Sequence, residues 1–106
     1  MNASEYIQVV VSCSDDKEAE HIGKSLLDKR LIACAKSFPV KSNFIWQGKV
    51  QRDNETLLVM ETKTSLFDKI QETVSKEHSY DLPVIYAVPI THINSGAGAW
   101  INESVD

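Results

Sequence analysis

Apolar residues follow two different periods along this chain. From Tyr6 to Cys13 they crowd into one run with Ile7, Val9, Val10 and Val11, a β-branched pattern that predicts a buried strand. Asp15 then precedes Glu18 by three positions, a variant of the capping box that opens a helix. Ala19, Ile22, Leu26 and Leu27 follow at helical spacing, with Lys29-Arg30 suited to the last turn. Leu31-Ile32-Ala33-Cys34-Ala35 is a second strand-length run, which Phe38-Pro39 is expected to break or bulge because proline cannot donate to a ladder. An extended pattern resumes from Lys41 and places Phe44 and Trp46 on one face. Gln47-Gly48-Lys49 supplies a turn, with Gly48 permitting positive φ. Val50 starts the return strand, the polar Arg52-Asp53-Asn54-Glu55 is expected to interrupt it, and Leu57-Leu58-Val59-Met60 forms a core segment. Thr64 reads as the N-cap of a second helix with the stripe Leu66, Phe67, Ile70 and Val74, ending near Glu77-His78. Val84-Ile85-Tyr86-Ala87-Val88 is the last strand. A short C-terminal strand or helix carries Trp100, Ile101 and Val105, and Gly96 and Gly98 weaken its helical first turn.

Strand, helix, strand, strand, helix, strand is the order of the ferredoxin-like βαββαβ unit. The expectation is an α+β fold in one domain over 1–106. An antiparallel sheet would carry its helices on one face and extend the hairpin between its second and third strands. The other face stays bare, and together with Phe44 and Trp46 it exposes enough apolar surface to imply a closed homo-oligomer.

Charge narrows the partners. A net charge of -4 lacks the basic footprint that phosphate binding requires, which argues against a nucleic-acid partner. No apolar run has the length of a membrane span, and Met1-Asn2-Ala3-Ser4-Glu5 lacks the features of a signal peptide, so a cytoplasmic protein is expected. Cys13 and Cys34 each sit in an apolar stretch and read as reduced, packed thiols.

Four segments carry a family resemblance: Lys29-Arg30-Leu31-Ile32-Ala33-Cys34-Ala35, Ile45-Trp46-Gln47-Gly48-Lys49-Val50, His78-Ser79-Tyr80-Asp81-Leu82-Pro83, and Ala99-Trp100-Ile101. In that order and spacing the chain resembles the divalent-cation tolerance protein family, CutA, over nearly its whole length. The resemblance implies a ferredoxin-like homotrimer knitted together by long hairpins, similar in architecture to the PII signalling trimers. It also implies a non-enzymatic role in tolerance of copper and other divalent cations. Three places depart from the family pattern. Ser79 stands where a proline is usual, Val84 where a glutamate is frequent, and Ala97-Gly98 where an aromatic and an aliphatic residue are common. The last change predicts a looser C-terminal helix.

Candidate chemistry is sparse. Cys13 and His78 offer a thiolate and an imidazole suited to copper or zinc, and Cys13 precedes a helix start, which favours thiolate. Asp81, Glu77 and His92 are further donors that the sequence alone cannot place. The plainer reading is that Cys13 packs at a strand end and His78 hydrogen-bonds across a boundary. Trp46, Lys49, Tyr80, Asp81 and Trp100 suggest the edge of an intersubunit cleft for a divalent cation or a small anion, and the two tryptophans serve an interface equally well. No Ser-His-Asp order, P-loop or dinucleotide motif occurs, and His21 falls on the polar side of the first helix. The competing function class is a metal-free trimeric scaffold or adaptor, or a PII-like small-ligand sensor.

Overall fold

Four strands form one antiparallel sheet: β1 (Tyr6–Cys13), β2 (Cys34–Trp46), β3 (Lys49–Lys63) and β4 (Ile85–Ile90). Their order across the sheet is β2-β3-β1-β4. The structure, a computed structural model, describes residues 4–106; residues 1–3, the start of the segment read for signal-peptide features, lie outside the described part. Three helices, α1 (Asp16–Asp28), α2 (Phe67–Glu77) and α3 (Ser95–Ser104), complete the expected α+β fold, and the C-terminal segment is a helix.

Strand alternation divides the sheet into two faces. Ile7, Val9, Val11 and Cys13 of β1 and Thr56, Leu58, Met60 and Thr62 of β3 are buried. They form one core with Ala19, Ile22 and Leu26 of α1, Ile70 and Val74 of α2, and Ile101 of α3. Gly23 lets α1 close on the sheet, since a Cβ there would stand 3.2 Å from the Ala35 Cβ. The opposite face carries the cross-strand rows Phe38, Leu57, Ser12 and Val59, Val10, Tyr86, and no described element covers it.

Asp15 caps α1 by accepting a hydrogen bond from the Glu18 N–H at 2.9 Å, as the spacing predicted. Lys29 and Arg30 lie beyond the last turn rather than in it. Arg30 has φ 58, and the bonds from Arg30 N–H to Leu27 O and from Leu31 N–H to Leu26 O make a Schellman end. The Arg30 guanidinium also reaches the Glu103 carbonyl, and the Asp106 N–H bonds the Arg30 carbonyl, so the chain terminus is tied to this corner.

Several local expectations are corrected. Leu31 and Ile32 are buried ahead of β2, which starts at Cys34. Phe38-Pro39 neither breaks nor bulges the strand, because the register runs unbroken from Cys34↔Glu61 to Trp46↔Lys49. β2 is an outer strand paired on one side only, and an edge tolerates the missing N–H of Pro39. Arg52 to Glu55 likewise stays in β3 as part of an exposed ribbon, where no alternation is demanded. Thr64 is no helix cap: it begins a 3-10 turn, Thr64–Leu66, and its hydroxyl bonds the Ser4 carbonyl. Val84 precedes β4 and is exposed, and Leu27 is 42% exposed on the outer side of α1.

β1 pairs with β3 only as far as Cys13↔Thr56. Beyond that point β2 and β3 continue as a bare two-stranded ribbon for roughly 20 Å. Gln47 (φ 51) and Gly48 (φ 78) close it as a two-residue turn with both central residues left-handed, the type I′ geometry whose twist matches the strands. The projection explains a radius of gyration of 14.4 Å, above the about 13 Å of a compact chain this long.

Candidate metal centre and the 78–82 corner

Three elements converge where β1 ends. Cys13 is the last residue of β1, Glu18 lies in the first turn of α1, and His78 caps the C-terminus of α2. One ligand atom of each lies within 4.8 Å of the others. The structure therefore brings together Cys13 and His78, which are 65 positions apart in sequence, and adds Glu18. Glu18 was legible only as half of a capping box, and that motif is the signal that could have found it. One of its side-chain oxygens accepts the Ser14 N–H at 2.9 Å, one residue before the Asp15 cap that a strict box would use, and its second oxygen accepts the Ser79 N–H at 2.8 Å.

His78 is fully enclosed, with a side chain 0% exposed. Its Nδ1 accepts the Tyr80 N–H at 3.0 Å and so carries no proton. Its Nε2 therefore bears the hydrogen, donated to the Ser12 carbonyl at 2.7 Å, with Glu18 Oε1 3.6 Å away. The Tyr80 ring stacks at 52° on the imidazole with centroids 4.7 Å apart, and its hydroxyl donates to Glu55 at 2.8 Å. Burial and the Glu55 carboxylate push the Tyr80 hydroxyl well above its ordinary pKa. Burial also pushes Glu18 upward, but hydrogen bonds from Ser79 and from the Ser14 N–H outweigh it and hold the carboxyl below its usual value.

A divalent ion is the group that the resemblance would place here, and thiolate, imidazole and carboxylate are suitable donor types. The arrangement does not fit a resident ion. His78 Nε2 offers a proton rather than a lone pair, and Glu18 already neutralises two backbone N–H groups. Burial, followed by the charges of Glu18, Glu55 and Asp15, pushes the Cys13 thiol up to about 12, opposite to the thiolate expected from its place before a helix. Desolvation outweighs the helix end.

The other candidates lie elsewhere. Glu77 clasps α1, accepting from the Ser25 hydroxyl at 2.8 Å, and His21, 3.1 Å from Glu77, is 69% exposed on the solvent side of α1 as expected. His92 meets Thr91, and Asp81 is exposed without a partner among the described residues. Trp46 and Lys49 pair at the ribbon tip, about 20 Å along β3 from the Glu55 that Tyr80 touches. Trp100 is exposed on α3. Within one chain the Trp46–Lys49 tip does not meet Tyr80. At Gly98 a Cβ would stand 3.2 Å from the Tyr6 hydroxyl, which donates to the Gly98 carbonyl and accepts from Asn102. The missing Cβ at this position lets the Tyr6 ring approach α3 this closely.

Comparison with known proteins agrees with this fold. The divalent-cation tolerance protein CutA of Archaeoglobus fulgidus is 36% identical over 98 residues, covering 92% of this chain and 96% of the relative. Its solved structure, described as that of a periplasmic protein, superposes with a TM-score of 0.94 at 35% identity, covering 95% of this chain and 99% of the other. Arabidopsis thaliana Protein CutA, chloroplastic, is 33% identical over 99 residues; the match takes in 92% of this chain but 54% of the plant protein. The sequence model of the CutA1 divalent ion tolerance protein matches residues 7–104, and the chain belongs to that family.

Proposed function

We propose that this protein works as a homotrimer in the divalent-cation response for which its relatives are named, with a non-catalytic role carried by the assembly. The observation that carries the reading is the uncovered sheet face together with the projecting ribbon. Phe38, Tyr86 and Val88 are exposed on that face, and Ile45 (74%) and Val50 (72%) are exposed on the ribbon beside Phe44 and Trp46. Contiguous apolar surface of this kind marks an interface. A ribbon with apolar side chains on both of its faces suits a place between neighbouring copies. Glu61 supports the same reading. One of its oxygens binds Lys36 at 2.6 Å, while Oε2 is buried with no partner among the described residues, on the face that a second copy would meet.

Copies meeting on this face would bring the Trp46–Lys49 tip of one toward its neighbour. The cation or small anion of the family's response then belongs to the clefts between copies. The two free thiols suit a reducing compartment, in keeping with the cytoplasm. Light scattering of the full chain is the test. A mass near three times 11.9 kDa at micromolar concentration supports the trimer, and a monomer sinks it. Calorimetric titration with copper and zinc tests the cation: with no saturable uptake, the scaffold remains and the cation response falls.

A further inference from the structure

The 78–82 corner holds more hydrogen-bonding groups than a surface turn needs. Four of its bonds cross between elements or fix its own backbone: Ser79 N–H to Glu18, Tyr80 N–H to His78, His78 to the Ser12 carbonyl, and the Tyr80 hydroxyl to Glu55. Glu55 is the first ribbon residue beyond the last β1–β3 pair, so the corner grips the root of the projecting hairpin. Glu18 is the hub. It is 9% exposed and bonds backbone on both sides of the junction, at Ser14 and at Ser79.

We propose that Glu18 and His78 form a latch fastening the 78–82 corner to the start of α1 and setting Tyr80 on Glu55, and that the closed latch and a divalent cation exclude each other. This inference is independent of the assembly proposed above.

The reason is stoichiometric. The imidazole has two ring nitrogens, and both are spent, one as acceptor and one as donor. An ion gains the Nε2 lone pair only when that proton leaves to water and the Ser12 bond is lost. The carboxylate oxygens face Ser14 and Ser79, and turning one toward an ion strands a backbone N–H. The family marker His78-Ser79-Tyr80 is thereby a joint in the fold. Ser79 supplies an N–H to it, which a proline at that position would lack.

Amide exchange and calorimetry on the full chain test the latch, with zinc chloride as the probe. In the wild type the Ser79 and Tyr80 amides exchange slowly. Glu18→Gln keeps one acceptor oxygen and speeds at least one of Ser79 and Ser14 about tenfold, the factor for losing one charge-assisted hydrogen bond. His78→Ala speeds Tyr80 and leaves Ser79 slow. Cys34→Ser, at the far end of the sheet from the latch, leaves all three unchanged. Unchanged exchange in both latch variants, or equal loosening by Cys34→Ser, overturns the latch. For zinc, the expected result is no saturable uptake sensitive to His78→Ala, or such uptake with loss of Ser79 and Tyr80 protection. Saturable, His78-dependent uptake with protection intact overturns the exclusion, and this wild-type arm stands even if Glu18→Gln fails to fold.

Discussion

Tyr86→Asp and Leu27→Asp place the same charge on two apolar positions of similar exposure, 50% and 42%, on opposite sides of the molecule. Tyr86 sits on the open sheet face in a row with Val10 and Val59, whereas Leu27 lies on the outer side of α1. A tyrosine buries about 200 Å² when enclosed, so its exposed half is about 100 Å², worth about 2.5 kcal/mol if neighbouring copies cover it. Three copies lose about 7.5 kcal/mol, a weakening of trimer association of roughly 10⁵- to 10⁶-fold before the aspartate's desolvation is counted. Folding of the single chain loses little, because the remaining contacts of Tyr86 are those of a half-exposed side chain. Leu27→Asp meets the helix C-terminus instead and costs about 0.5 kcal/mol of stability, with no effect on assembly. Light scattering across a dilution series reads both. Tyr86→Asp should be monomeric at micromolar concentration and Leu27→Asp trimeric. A trimeric Tyr86→Asp with unaltered dilution behaviour refutes the assignment of the open face to the assembly, as does a Leu27→Asp that dissociates to the same extent.

Three further outcomes are expected. Thr62→Val keeps the core volume but removes the buried hydroxyl that bonds the Leu31 carbonyl at 2.6 Å; urea unfolding should show a loss of about 1–2 kcal/mol, and no loss would mean that the bond is idle. Glu18 has a folded pKa below its unfolded value near 4.5, so the folded state binds fewer protons; its contribution is present above pH 4.5 and disappears as pH falls through the lowered value. The acid limb of a stability–pH curve should flatten in Glu18→Gln, and an unchanged limb contradicts the assignment. Cys13, enclosed and with its thiol pushed up to about 12, should resist iodoacetamide at pH 8 in the folded protein and react once urea unfolds it, and peptide mapping showing equal Cys13 labelling in both states contradicts this.

Local signals account for most of the fold that was legible in advance. The β-branched run of β1, the 3.6 period of α1 and α2, the Gln47-Gly48 turn and the Asp15–Glu18 box depend on neighbours a few residues away, and each gives its expected element. Boundaries failed where a remote fact governs them. Pro39 would end a central strand and does not end β2, because β2 lies at the edge of the sheet. Thr64 has the composition of a cap, yet its hydroxyl is taken by the Ser4 carbonyl.

The candidate site divides in the same way. Sequence alone determined that Cys13 and His78 carry metal-capable groups, that Glu18 begins a helix, and that Ser79 replaces a ring with an N–H. Tertiary structure decided what those groups are for. It set the end of β1 against the corner after α2, enclosed the imidazole, and gave each ring nitrogen a backbone partner. A donor's type is fixed by its residue, but its free lone pairs are fixed by whatever the fold places within 3 Å of it. Only the packed chain distinguishes a ligand from a latch.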